Sequence, residues 1–184
     1  MSDNTTRIEM SPFSSQLQQA LHDGTAADLM AQRGFRCLRD PKAADSRVCD
    51  LSLEKRLLSN ATAYRPEPLP PKLFYSYGRA RPGSSQKMAH LGVSFYAKPF
   101  EGVQGNVFVQ AYNQALDGKR LDRILIFNLT GPIYFLSLER QEDQWRIVGP
   151  KGRIDGSLSN QEQSVIDTAQ TIWIAALQVA RLSS

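Results

Sequence analysis

Cys37 and Cys49 are the two cysteines of the chain, twelve residues apart. Residues of this type and spacing could form a disulfide, supply two ligands to a metal site, act as a reactive thiol, or pack as small apolar side chains. A metal site would need further ligands, and the two histidines, His22 and His90, show no metal-binding spacing. Neither histidine lies in a recognisable catalytic-thiol signature. A disulfide and a pair of buried thiols remain as the two alternatives.

The stretch around the cysteines is typical of a β-hairpin. A polar loop with an Asp-Pro step, residues 40–45, separates two strand-like segments. Residue numbers in an antiparallel pair sum to a constant, so placing Cys37 opposite Cys49 determines every other pair. In that register the cysteines are close enough for a cross-strand disulfide. The other pairs are Arg36 with Asp50, Phe35 with Leu51, and Leu38 with Val48.

Length and composition indicate one globular domain. The chain has 184 residues, of which 41% are hydrophobic and 22% charged, as in ordinary soluble proteins. We expect a disordered tail at residues 1–12 and a single domain at residues 13–184. No apolar run approaches the roughly 18 residues of a membrane span, and the N-terminal stretch lacks the apolar core of a signal peptide. We expect a periplasmic or secreted protein if a leader preceded this sequence, and otherwise a cytoplasmic one.

Positive charge is concentrated in one part of the chain. The net charge is +4, and residues 35–98 carry twelve Lys or Arg against five Asp or Glu. Such asymmetry favours an acidic partner, whether a protein surface, a polyanion or anionic lipid. A solvated basic surface without a partner has the same composition.

The first part of the chain is predicted to be helical on either side of short turns. One helix runs from Ser14 and stops at Gly24, and a second follows the N-cap Thr25 and ends before Gly34. After the hairpin, four prolines within residues 66–71 predict an extended crossover.

From Lys72 onward the chain is rich in aromatic and β-branched residues, with short turn signals between the runs. Short links predict antiparallel pairing, because parallel strands need crossovers of a dozen or more residues. Alternation within residues 91–97 indicates that one face of the sheet is wet or thinly covered. The predicted strands are 72–78, 88–98, 105–115, 121–128, 132–141 and 144–149.

The clearest element is a C-terminal amphipathic helix. Ser159, followed three residues later by Glu162, has the spacing of a capping box. An apolar stripe then recurs at helical spacing and must lie on an apolar partner, for which the inner face of the sheet is available. The stripe comprises Val165, Ile166, Ala169, Ile172, Trp173, Ala176, Leu177 and Ala180.

The expected fold class is therefore α+β. It consists of an N-terminal helical segment, a cysteine hairpin, an antiparallel meander of about five or six strands, and a C-terminal helix packed across the sheet. In architecture alone this arrangement resembles cystatin-like and nuclear-transport-factor-like cones. An architectural resemblance implies no particular activity.

Motifs with a known chemistry are missing from the sequence. It contains no nucleophile elbow, phosphate loop, zinc-protease motif or dinucleotide-binding motif. The glycine-rich segment 149–156 could offer backbone N–H groups to a phosphate, but a strand-to-helix turn explains it more simply. We therefore expect no catalytic residue, no cofactor and no metal, and regard an enzyme as the less favoured class.

Two sets of residues are candidates for binding. One set mixes aromatic and cationic side chains, as protein interfaces and nucleic-acid surfaces do, although its aromatics could equally belong to a core. The other set would line a small-ligand pocket on the sheet. The first set is Tyr75, Tyr77, Arg79, Arg81 and Lys87, and the second is His90, Tyr96 and Tyr112.

Three functions follow from these candidates. The leading hypothesis is a small non-enzymatic, bacterial-type factor that binds another protein with an acidic surface, such as an inhibitor, immunity or accessory protein. The alternative is a cone-shaped domain that binds or transforms a small ligand near His90. The third is nucleic-acid binding through the basic aromatic set.

Overall fold

The structure is a computed structural model. It describes residues 19–20, 25–39, 47–66, 69–79, 86–116 and 119–181. The polar tail predicted at the N-terminus lies outside these residues, and so does most of the first predicted helix.

The described chain forms two helices and one sheet, with two short 3₁₀ turns at Lys55–Leu58 and Lys151–Arg153. The helices are α1 (Ala26–Gln32) and α2 (Asn160–Val179). The strands are β1 (Arg36–Arg39), β2 (Arg47–Ser52), β3 (Lys72–Arg79), β4 (Lys87–Ala97), β5 (Val107–Leu116), β6 (Lys119–Asn128), β7 (Phe135–Gln141) and β8 (Gln144–Gly149).

The eight strands make one antiparallel sheet in chain order, β1 to β8. The predicted α+β class and the six-stranded meander, β3 to β8, are confirmed. The cysteine hairpin is not a separate unit, because β2 pairs with β3 from Ser52 opposite Lys72 to Arg47 opposite Tyr77. The hairpin therefore adds two strands to the meander and brings the sheet to eight.

The predicted hairpin register is confirmed. Cys37 lies opposite Cys49 and Arg36 opposite Asp50, and the two cysteines form a disulfide. Cys49 is fully buried, so the bond ties the edge strand β1 to a core residue of β2.

The core lies between α2 and one face of the sheet. Inward-facing residues of neighbouring strands form continuous rows, such as Leu73, Val93, Ala111, Ile124 and Leu138, all of them fully buried. The whole predicted apolar stripe of α2 is buried against them. Trp173, at the middle of the helix, is among the largest fully buried side chains.

The N-terminus of α2 is held by a buried carboxylate. The predicted capping box is present, with the Glu162 backbone N–H donating to Ser159 Oγ at 3.1 Å and the Ser159 N–H donating to Glu162 Oε1 at 2.8 Å. Arg153 also donates to Glu162 Oε1 at 2.8 Å, and the Tyr134 hydroxyl donates to Glu162 Oε2. One carboxylate thus joins the β6–β7 loop, the second 3₁₀ turn and the helix.

Helix α1 has the predicted limits. Thr25 is its N-cap, although the Thr25 side chain makes no capping hydrogen bond. Gly34 follows the C-cap Arg33 with φ of +91°, the left-handed conformation that favours glycine at this position. No described helix is both long and apolar enough to cross a membrane.

Candidate functional site: the open face of the sheet

The sheet has a second face, opposite the one that α2 covers, which we call the open face. Because side chains alternate along a strand, the residues between the buried ones point to it. Most of its residues are half-buried. The open face carries Phe74 and Ser76 of β3, His90 and Tyr96 of β4, Phe108, Tyr112 and Gln114 of β5, Arg123 and Phe127 of β6, and Phe135 and Glu139 of β7.

His90 lies between two polar side chains on the neighbouring strands. Its Nδ1 is 3.4 Å from Ser76 Oγ and its Nε2 is 3.4 Å from Gln114 Oε1, because both residues stand directly opposite it in the sheet. In the tautomer with the proton on Nε2, that nitrogen donates to Gln114 Oε1 and Nδ1 accepts from the Ser76 hydroxyl. Burial lowers the pKa of His90, and the positive charge of Arg123 lowers it further, against the raising effect of the Gln114 hydrogen bond. His90 is therefore neutral at pH 7.

Tyr112 lies beside His90 in an edge-to-face contact, with ring centroids 4.9 Å apart. Gly92 stands directly opposite Tyr112 on β4, and a Cβ at this glycine would lie 2.3 Å from the Ala111 carbonyl oxygen. The glycine lets β5 approach closely and leaves space above β4. The Tyr112 ring reaches across that space to within 6.4 Å of the Phe74 ring on β3.

Arg123 is a cation on the open face, on β6 opposite Tyr112. Its Nε lies 3.9 Å from Glu139 Oε1, and its terminal nitrogen donates to Ser137 Oγ at 3.5 Å. The Nε atom is buried and has no hydrogen-bond partner in the described part of the chain. The buried Nε faces the Glu139 carboxylate, so this guanidinium is already engaged within the sheet.

A row of aromatic side chains crosses the far end of the open face. Tyr96, Phe108, Phe127 and Phe135 stand opposite one another on four successive strands. The rings of Tyr96 and Phe108 are 5.2 Å apart, and those of Phe108 and Phe127 are 5.6 Å apart, both edge to face. Phe135, at the end of the row, is 40% exposed. We call these four residues the aromatic row.

The predicted ligand-pocket residues all lie on the open face, but not together. His90 and Tyr112 are in contact. Tyr96 is six residues along β4 from His90, a separation of about 20 Å, and belongs to the aromatic row instead.

The predicted basic aromatic set is divided by the fold. Tyr75 is fully buried in the core, where burial raises its pKa, so its ring does not face a partner. Tyr77 is half-buried against the same core. Arg79 and Lys87 stand opposite each other at the ends of β3 and β4. Arg81 lies outside the described residues.

Sequence reasoning missed Phe108, Phe127, Phe135 and Arg123. A signal was available in the alternation of the strands, because Phe108 lies between Val107 and Val109 and is out of phase with these core residues. An aromatic residue in the phase opposite to the core belongs on the other face.

Comparison with known proteins gives no match: no protein-family model, no curated protein and no solved structure is similar to this chain.

Proposed function

We propose that this chain is a small non-enzymatic factor of bacterial type that binds another protein, as an inhibitor, immunity or accessory protein does, through the open face of its sheet. The observation that supports the proposal is the aromatic row, four partly exposed rings in register across four strands. Aromatic residues and arginine are enriched in the centres of protein interfaces. The aromatic row supplies the aromatic residues, and Arg123 supplies the arginine.

The dimensions of the open face suit a protein partner. From Phe74 on β3 to Phe135 on β7 the face spans four inter-strand spacings, about 19 Å, and from His90 to Tyr96 it extends about 20 Å. A patch of this extent, about 380 Å², is larger than most small ligands cover and is roughly half of the 800 Å² that one partner buries in a standard interface, so the rim of the face would supply the rest.

The charge of the chain favours an acidic partner. The net charge is +4, and the excess of Lys and Arg falls within residues 35–98, which include β2, β3 and β4. Lys72 of β3, on the same face, is 44% exposed in its side chain and 3.6 Å from Asp50. Positive charge around an aromatic centre raises the association rate with a negative surface.

The test is a matched pair of variants. Phe127→Ser combined with Phe135→Ser removes half of the aromatic row, and Ile174→Ser is the control because Ile174 and Phe135 are both 40% exposed. The tagged wild-type chain is used to capture its partner from the source cells, and the affinity of the purified partner is then measured by calorimetry. The proposal expects at least a tenfold loss for the double variant, equivalent to about 1.4 kcal/mol, and none for the control. Equal affinity for both variants, or no specific capture by the wild type, would contradict it.

A second candidate function is small-ligand binding or catalysis at His90. It is favoured by the neutral imidazole between Ser76 and Gln114, with the Tyr112 ring against it. Native mass spectrometry of the freshly purified chain tests it, because a retained small molecule would add a fixed mass that His90→Phe removes. Nucleic-acid binding remains a prediction from the basic set, for which an excess of absorbance at 260 nm is the check.

A further inference from the structure

A groove lies at the β8 edge of the sheet. It has a volume of about 650 Å³ between β8 and the segment that leads into α2, the size of a ligand or side-chain pocket. We call it the edge groove. Apolar side chains line it, among them Trp145, Ile147 and Leu158, together with the charged Arg146 and Asp155.

Trp145 gives the edge groove a hydrogen-bond donor. Its indole Nε1–H is buried and has no acceptor among the described residues. A buried donor without a partner costs free energy unless an acceptor reaches it. A backbone carbonyl of a bound chain is such an acceptor.

Strand β8 is also an edge strand. It pairs with β7 on one side, and no strand of the described chain pairs with its other side. An edge strand presents unpaired N–H and C=O groups to any extended chain that approaches. The groove and the free edge are therefore adjacent parts of one surface.

Opposite charges lie at the two ends of β8. Glu142 is exposed in the turn that precedes the strand, and Lys151 is exposed in the 3₁₀ turn that follows it. Eight residues separate them, the six of β8 together with Asp143 and Pro150, and β8 itself spans about 20 Å. A peptide antiparallel to β8 would be complementary if its N-terminal end were acidic and its C-terminal end basic.

We propose that the free edge of β8 binds an extended peptide of about six residues as an added antiparallel strand. An apolar side chain of the peptide enters the edge groove beside Trp145, a peptide carbonyl accepts the indole N–H, and the acidic N-terminal end faces Lys151. This site lies at the sheet edge, and the proposal does not depend on the function proposed for the open face.

The experiment uses Trp145 as its own reporter. The chain has two tryptophans, and Trp173→Phe leaves Trp145 alone while removing an indole N–H that is also buried without an acceptor. The probe is the acetylated and amidated heptapeptide Asp-Thr-Val-Thr-Leu-Thr-Lys. A saturable change in Trp145 fluorescence with Kd below about 1 mM is expected. If the variant fails to fold, the indole N–H resonance of Trp145 in the wild-type chain gives the same readout.

Three controls make the result specific. A peptide with proline in place of leucine cannot complete the added strand and should not bind. Lys151→Glu should weaken binding of the probe roughly twofold to fivefold, as loss of an exposed ion pair does. The same variant should bind more tightly a peptide in which Asp and Lys are exchanged. A Phe108→Ser, Phe127→Ser double variant, altered on β5 and β6, should bind the probe unchanged. No saturable change, an equal response to the proline peptide, or self-association of the chain through β8 would overturn the proposal.

Discussion

The Tyr134 hydroxyl donates a hydrogen bond to the carboxylate of Glu162, twenty-eight residues further along the chain. Glu162 is only 3% exposed, and its two oxygens also accept from Arg153 and from the Ser159 backbone. A buried carboxylate is stable only when it is fully hydrogen-bonded. The attachment of α2 to the β6–β7 loop therefore depends on the ionisation of the Glu162 carboxyl group.

We predict that the stability contributed by Glu162 is lost in acid. Burial alone would raise the pKa of Glu162, but the hydrogen bonds from Arg153, Ser159 and Tyr134 outweigh it and lower the pKa in the folded chain. A lowered folded pKa gives stability that is present above the unfolded value, near 4.3, and lost as the pH falls through the folded value. Glu162→Gln should cost about 1 to 3 kcal/mol at pH 7. Urea unfolding of the wild type and of Glu162→Gln should show that the difference in their free energies of unfolding shrinks below about pH 4. A difference that does not change with pH would contradict the lowered pKa of Glu162.

Gly92→Ala should destabilise the sheet. The added Cβ would lie 2.3 Å from the Ala111 carbonyl oxygen and 2.6 Å from Tyr112 Cα, both backbone atoms that cannot move aside cheaply. Overpacking of this kind costs about 1 to 3 kcal/mol or more. Gly152→Ala is the control, because no atom lies within 4 Å of its added Cβ. Thermal unfolding gives the melting temperatures of Gly92→Ala and Gly152→Ala. Equal melting temperatures would show that β5 does not approach Gly92 of β4 as closely as described.

Trp173→Ala should cost about 3 to 5 kcal/mol, as large truncations in a core do, since Trp173 is fully buried between α2 and the sheet. Ile174→Ala, at the next position of the same helix, should cost less than about 1 kcal/mol because that side chain is 40% exposed. Chemical denaturation measures the free energy of unfolding of both variants. A small loss for Trp173→Ala would mean that α2 does not cover the sheet as described.

Reduction of the Cys37–Cys49 disulfide should lower the melting temperature. The bond closes thirteen residues, counting both cysteines, and in the chain-entropy model such a loop contributes about 3 kcal/mol. Changing both cysteines to serine should lower the melting temperature to a similar extent and abolish the effect of reductant. Mass spectrometry after alkylation counts the free thiols, and two free thiols in the folded, unreduced chain would disprove the bond.

Replacing Arg79, Arg81 and Lys87 together by serine should weaken the natural complex while leaving thermal stability almost unchanged. Arg79 and Lys87 stand directly opposite each other in the sheet, and like charges in that relation do not stabilise a strand pair. Calorimetric affinity and the melting temperature are the two measurements. Unaltered affinity would remove the basic set from the binding surface.

Much of the fold could be predicted because local chemistry determines it. The pairing arithmetic of an antiparallel hairpin gives Arg36 opposite Asp50 once the cysteines face each other, and a period of 3.6 residues places Ile172 and Trp173 on one side of α2. Neither inference needs a contact between distant parts of the chain.

The site was harder to predict because it depends on which face α2 covers. Aromatic residues suit a core and a surface equally, so Tyr75 was assigned to the binding set and Phe108 was overlooked, although the fold buries the first and half-exposes the second. Glu162 was identified as a capping residue from its spacing to Ser159. Its contacts with Tyr134 and Arg153 arise only when two loops meet the helix, which no local spacing encodes.

Each strand of this sheet pairs only with its neighbours in the chain, and this order has a consequence for synthesis on the ribosome. Hairpins can close one after another as the chain emerges, because every pairing partner is already present or arrives next. The apolar inner face, however, stays in contact with water until Asn160–Val179 has left the exit tunnel. The nascent protein therefore passes through a stage with a nearly complete sheet whose strands β4 and β5 this helix does not yet cover, when it is most prone to associate with other chains.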